Sequence, residues 1–195
     1  MKSIKYFIQF LIISTLFLIF KILGLNFASY LSGTIISFIG PIFRSKNLIK
    51  SNILKALPNL SHSEVEKITK KMWNNYGRIL AEYIFIKDFR TSKLEKNIQI
   101  KGQEILEEIK KNNEPVIFVS GHFNNFELMA MQIEKSGINL AVIYRPLNNK
   151  FLNLIMERIR KKYICKNQIK KGISGTKQLL SFFKKKTSIA LMIDQ

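Results

Sequence analysis

The chain has 195 residues, 47% hydrophobic and 23% charged, a balance that excludes a disordered tail and suffices for one domain with a core. Its single cysteine, Cys165, excludes an internal disulfide framework. The formal charge of +19 fits nucleic acid, an anionic membrane or an acidic protein as partner, and nucleic acid is set aside because the spread-out lysines carry no zinc-finger, RNP or helix-turn-helix signature.

The N-terminus is membrane-directed. Residues 6–20, YFIQFLIISTLFLIF, form an uncharged run between Lys5 and Lys21. A span takes roughly 20 apolar residues, so the run crosses only if Lys2, Lys5 and Lys21 snorkel. Residues 22–43 are also uncharged, but Gly24, Gly33, Gly40 and Pro41 interrupt them. No small-x-small cleavage site follows Phe20, which favours an uncleaved anchor over residues 1–44 rather than a signal peptide. Arg44, Lys46, Lys50 and Lys55 put positive charge on the far flank too, so the charge pattern leaves orientation open.

The domain expected over residues 45–195 opens with a helix. Ser61 with Glu64 three residues later is a capping box. Beyond it Val65, Ile68, Met72, Tyr76, Ile79 and Tyr83 recur at three and four, predicting one buried face. After Phe89 short apolar runs alternate with helical patterns. Strands are predicted at residues 97–101, 115–120, 139–144 and 187–193, and helices at 102–112, 125–135, 148–162 and 175–185. Such alternation predicts an α/β fold with a mostly parallel sheet flanked by helices, and sites gather at the carboxyl ends of such strands. The chain stops directly after an apolar strand, and the expectation is a C-terminally truncated sequence.

The segment that carries chemistry is Val119-Ser120-Gly121-His122-Phe123-Asn124-Asn125-Phe126-Glu127. A buried strand ends at Ser120, and Gly121 permits a sharp turn. His122 then stands on a strand-end loop, with Glu127 in the first turns of the next helix. A spacing of five is about 140° off on a helix, so the two meet only if His122 sits outside it and the loop curls back. A neutral imidazole takes a proton from a hydroxyl near neutral pH, and a carboxylate on its other nitrogen fixes the tautomer. Backbone amides near Asn124 and Asn125 are candidates to hold an oxyanion. The competing reading of His122 is a helix cap. Cys165, with no paired His or Cys nearby, reads as a buried inert thiol. Two distant histidines make a poor metal site, and no Walker or dinucleotide pattern is present.

SGHFNNFE resembles the His-x4-Asp/Glu motif of the lysophospholipid acyltransferase superfamily, and more specifically the lipid A biosynthesis lauroyl/myristoyl acyltransferase family. Three further blocks are similar to that family: NYGRILAE at residues 75–82, YRPLNN at residues 144–149 with Asn149 where the family usually has proline, and ALMIDQ at residues 190–195. The resemblance implies a glycerol-phosphate-acyltransferase-like fold. It implies that His122 is the general base and Glu127 its orienter, that Arg145 binds an anionic substrate group, and that Asp194 faces the same crevice. It also implies transfer of a fatty acyl group from acyl carrier protein to a hydroxyl of a lipid A precursor, at the cytoplasmic face of the inner membrane, with no metal or organic cofactor. The alternatives are a related glycerolipid or glycolipid acyltransferase, or a non-catalytic membrane-anchored fragment.

Overall fold

The computed structural model describes residues 2–194. Gln195, the last residue of the ALMIDQ block, lies outside them. The chain forms two compact units, one of Met1–Ser14 with Ile86–Gln195 and the other of Thr15–Phe85.

The apolar N-terminus forms two helices, α1 (Lys2–Leu23) and α2 (Leu25–Ile39), broken at Gly24, whose φ of 75° suits glycine. By length and composition α1, and α2 with the short 3-10 turn that follows it, are apolar enough to cross a membrane. The Thr15–Phe85 unit is completed by α3 (Lys46–Ala56) and α4 (His62–Glu82). The expected capping box starts α4: the Ser61 N–H donates to Glu64 Oε2 at 2.8 Å and the Glu64 N–H to Ser61 Oγ at 3.4 Å. The Ser61 hydroxyl, which donates to the same Oε2 at 2.7 Å, and then the Ser61 N–H hold the Glu64 carboxyl below the usual carboxylate range. α4 buries Val65, Gly77 and Ala81, whereas Tyr76, expected on the buried face, is 57% exposed. The reason is close helix packing. A Cβ on Gly77 would lie 2.3 Å from the Ser32 carbonyl oxygen, and Ser32 Oγ donates to the Gly77 carbonyl at 2.6 Å. Small residues of α2 (Ala28, Ser29, Ser32, Gly33) therefore take the face that large side chains were expected to fill.

The other unit holds the sheet. It contains α5 (Ile86–Thr91), α6 (Gln103–Asn112), β1 (Ile117–Ser120), α7 (Glu127–Lys135), β2 (Leu140–Tyr144), α8 (Lys150–Ile159), a π-helical turn (Arg160–Ile164), β3 (Asn167–Lys170), α9 (Ile173–Lys184) and β4 (Ser188–Met192). All the pairings are parallel and the strand order is β1-β4-β2-β3. The connections β1 to β2 and β2 to β3 step one way and β3 to β4 returns. Right-handed crossovers then put α9 on the opposite face from α7 and α8. Leu140, Ile169 and Ile189 are fully buried in the sheet, each contributing about 1.5–3 kcal/mol of apolar burial.

Three expectations change. The strand predicted at 97–101 is a 3-10 turn (Glu95–Asn97) followed by irregular chain. β3 was not predicted, because in Asn167-Gln168-Ile169-Lys170 the polar residues hide a strand whose one apolar side chain, Ile169, is completely buried. β1 was expected to be buried on both faces; it lies at the sheet edge, and Ile117 and Val119 are 55% and 59% exposed.

The first turns of α1 belong to the sheet-bearing unit. Phe7 and Phe10 pack on Phe151 of α8, with ring centroids 5.5 and 5.9 Å apart. Buried Asn149 is the linchpin. Its Oδ1 accepts from the Phe151 and Leu152 N–H groups, capping α8, while its Nδ2 donates to the Tyr6 carbonyl at 2.8 Å. A proline here would lack both functions.

Candidate active site

Strand register builds the site. β1 and β4 pair with Ser120 opposite Met192, and two residues further on His122 faces Asp194. The His122 backbone N–H donates to Asp194 Oδ2 at 2.7 Å, and the ring Nδ1 lies 2.8 Å from Oδ1. These bonds, the backbone one foremost, hold the Asp194 carboxyl below its usual range, so near neutral pH it is an anion and only accepts. Nδ1 therefore carries a proton and donates it to Asp194, and Nε2 is the ring nitrogen that Asp194 does not engage. Phe126 meets the ring edge-on at 4.7 Å between centroids, a second constraint on its orientation.

Gly121 keeps its surroundings close. It is absent from the left-handed glycines, and a Cβ on it would come within 3.2 Å of Asp194 Oδ2 and 2.9 Å of the Phe123 ring. The turn therefore does not rest on an unusual φ at this glycine. The residue with φ of 43° is Asn124.

Glu127 was expected against the imidazole. The structure engages it elsewhere. It is the first residue of α7, it is buried, and its Oε1 accepts from Arg160 Nε at 2.8 Å and Nη2 at 2.5 Å. The physical reason is that α7 starts at Glu127, two residues later than predicted, while the β4 end already carries a carboxylate in register with His122. Asn124 and Asn125 form the bend before α7 and are not part of the cavity wall.

A cavity of about 630 Å³ opens over the carboxyl edge of the sheet. His122, Glu127, Tyr144, Arg145, Arg160, Lys170 and Lys171 supply its ionisable side chains. The volume is ample for an organic ligand. Arg145 follows β2 directly, is exposed, and lies one residue past the Tyr144–Lys170 pairing, which sets it beside Lys171. The inner wall is a chain of contacts. The Arg160 guanidinium lies 5.5 Å from the Tyr144 ring centre, and the Tyr144 hydroxyl donates to Glu157. Desolvation, then Glu157 itself, pushes the Tyr144 phenol up, and the bond from Tyr144 holds the Glu157 carboxyl down. Lys170 Nζ stands 3.4 Å from Glu157. Sequence reasoning missed Arg160 and Glu157. Their signal was the i,i+3 spacing of a carboxylate and a guanidinium on a predicted helix.

Cys165 is buried beneath β2, with Sγ 3.0 Å from the Leu140 carbonyl, and burial raises its thiol to about 12. A thiol so placed is no nucleophile. Among the described residues neither serine nor cysteine lines the cavity.

A strand-end imidazole held by a carboxylate beside an open cavity, with neither serine nor cysteine among the described lining residues, is an arrangement that general-base chemistry can use. The chain belongs to the bacterial lipid A biosynthesis acyltransferase family, whose description matches residues 1–195. It is 25% identical over 125 residues to the lipid A biosynthesis myristoyltransferase of Escherichia coli (strain K12), covering 64% of this chain and 38% of that protein. It is 27% identical over 112 residues to lipid A biosynthesis acyltransferase 2 of Shigella flexneri, covering 57% of this chain and 36% of that protein. The matched stretch thus spans less than two-fifths of either relative's length.

Proposed function

We propose that the protein is an acyltransferase that moves a fatty acyl group from an acyl carrier protein thioester to a hydroxyl of a lipid A precursor. The observation that carries this reading is the His122–Asp194 pair at the edge of the cavity. The family membership supports it.

The mechanism follows from the proton positions. His122 Nε2 removes the acceptor's hydroxyl proton as its oxygen attacks the thioester carbonyl. Asp194 on Nδ1 stabilises the imidazolium that forms. The tetrahedral intermediate collapses, the C–S bond breaks, and the imidazolium returns its proton to the departing thiolate. Backbone amides of the Asn124–Asn125 bend, which follows His122 just outside the cavity wall, are the proposed oxyanion donors for an intermediate held at His122. Glu127 belongs to the same wall, and Arg145 is the proposed contact for an anionic substrate group, since a guanidinium suits phosphate by paired hydrogen bonds. The net charge of +19 favours both an anionic lipid surface and an acidic carrier. In this reading α1 and α2 seat the protein on the inner membrane, with the sheet unit on the cytoplasmic side, where acyl carrier protein is available.

The test is transfer of a labelled acyl group from acyl carrier protein to a tetraacylated lipid A precursor, run beside lysophospholipid and acyl-CoA. The expected result is transfer to the precursor from the carrier protein. Transfer to lysophospholipid alone assigns a glycerolipid enzyme, and wild-type turnover in His122→Ala rejects the mechanism.

A further inference from the structure

Glu127 makes a one-sided ion pair. Arg160 places both Nε and Nη2 on the same carboxylate oxygen, Oε1, and no donor among the described residues reaches Oε2. A guanidinium more often spans both oxygens, one nitrogen to each. The two side chains are only 10% and 14% exposed, and both line the cavity that His122 borders. Oε2 is thus an accessible acceptor on a residue that lines the cavity, open to a donor that a ligand supplies.

The charge narrows the ligand. Arg160 already offsets the anion, so the group that fits Oε2 is a neutral donor, a hydroxyl or an amide N–H, rather than an ammonium. The carboxylate position on the imidazole is meanwhile taken by Asp194, with both of its oxygens engaged by His122. Arg160 is itself firmly placed. It opens the π-helical turn after α8, its carbonyl accepts from the Cys165 N–H at 2.9 Å, and its guanidinium lies against Tyr144. Wide π turns inside helices recur at functional sites.

We infer that Glu127 is a substrate-contacting residue whose Oε2 accepts a hydrogen bond from a hydroxyl or amide N–H of the acyl acceptor, and that Arg160 is the positioning residue that holds it there. The inference rests on the reading of this cavity as the acceptor site. It separates the two carboxylates: Asp194 acts on the imidazole, Glu127 on the substrate.

The experiment has two arms on the full chain in detergent micelles. In the first, steady-state transfer is measured with varied acceptor and varied acyl carrier protein donor for Glu127→Gln, Arg160→Gln, Arg160→Lys and Asp194→Asn. The expected result is an acceptor KM raised by about tenfold in Glu127→Gln and Arg160→Gln, as for one lost hydrogen bond to a charged group, with donor KM unchanged. Arg160→Lys recovers part of the loss, and Glu127→Gln/Arg160→Gln is no worse than either single change. Paired acceptors with either an amide or an ester beside the reacting hydroxyl tell the two donors apart. If the Glu127 effect is lost with the ester, the amide N–H is the contact; if it is kept, the hydroxyl is. In the second arm, which needs no turnover, ¹⁵N shifts of the His122 ring report which nitrogen carries the proton. Asp194→Asn changes them, and Glu127→Gln and Arg160→Gln leave them as in the wild type. Ring shifts that move as far in Glu127→Gln as in Asp194→Asn overturn the inference, as do equal changes in donor and acceptor KM or a wild-type KM in Arg160→Gln. If wild-type protein transfers no acyl group, the acyltransferase reading falls, and the ring shifts still decide whether Glu127 acts on the imidazole.

Discussion

Two ion pairs stand at one cavity, one of them reaching its wall through His122 alone, and they are made differently. The His122–Asp194 pair is about one-third and two-fifths exposed and comes from two strands in register. The Glu127–Arg160 pair is nearly buried and comes from two helix ends, the start of α7 and the exit of α8. Strand register places atoms to within a fraction of a residue and leaves them open to solvent, which suits a group that must exchange a proton. Helix ends bury their pair against Tyr144, which suits a group that must stay fixed. The comparison teaches that the carboxylate nearest in sequence to a histidine need not be the one that contacts it.

The largest expected effect separates the pairs by activity. His122→Ala should lower kcat/KM by about a thousandfold or more with little change in thermal stability, because the side chain is part-exposed and its proposed role is chemical. Parallel rate and melting measurements check this. The buried pair should show the reverse emphasis. Glu127→Ala or Arg160→Ala leaves one charge nearly buried and alone, and should cost about 3 kcal/mol in a denaturant titration. The double change should cost less than the sum of the two.

A next effect lies outside the cavity. Gly77→Ala forces a Cβ into the Ser32 carbonyl and should destabilise the α2–α4 packing by about 1–3 kcal/mol, read as a lowered melting temperature. The smallest effect is a pH dependence. Hydrogen bonds from His122 lower the Asp194 carboxyl from its ordinary 3.8. A depressed carboxyl contributes stability that is fully present above its unfolded value and is lost as pH falls through the folded one. The difference in melting temperature between wild type and Asp194→Asn should therefore hold steady above that ordinary value and disappear only in stronger acid. A difference that vanishes already near pH 6 contradicts the assignment.

What the sequence made legible follows its range of interaction. The Ser61–Glu64 capping box and the apolar helices are local, and each is where composition and spacing placed it. Runs such as LAVIY of β2 announce a strand because successive side chains are apolar on both faces. β3 stayed hidden because its pairing, not its composition, makes it a strand. His122 was legible as a site residue from its glycine and strand-end position. Its partner was not, since Asp194 lies 72 residues away and is brought near only by the β1–β4 register. Glu127 was read from its motif as the carboxylate on the imidazole, whereas its guanidinium partner depends on where α8 gives way to a π turn. Tyr76 misled because helical spacing cannot show that a glycine, Gly77, is the point of closest approach.

The central claim is that His122 and Asp194 act as one unit in proton transfer. A double-mutant cycle in kcat/KM for acyl transfer, with His122→Ala, Asp194→Asn and both together, tests it most directly. The account predicts a large loss for each single change and a double variant no slower than His122→Ala alone. Losses that simply multiply, or an Asp194→Asn enzyme as fast as wild type, contradict it.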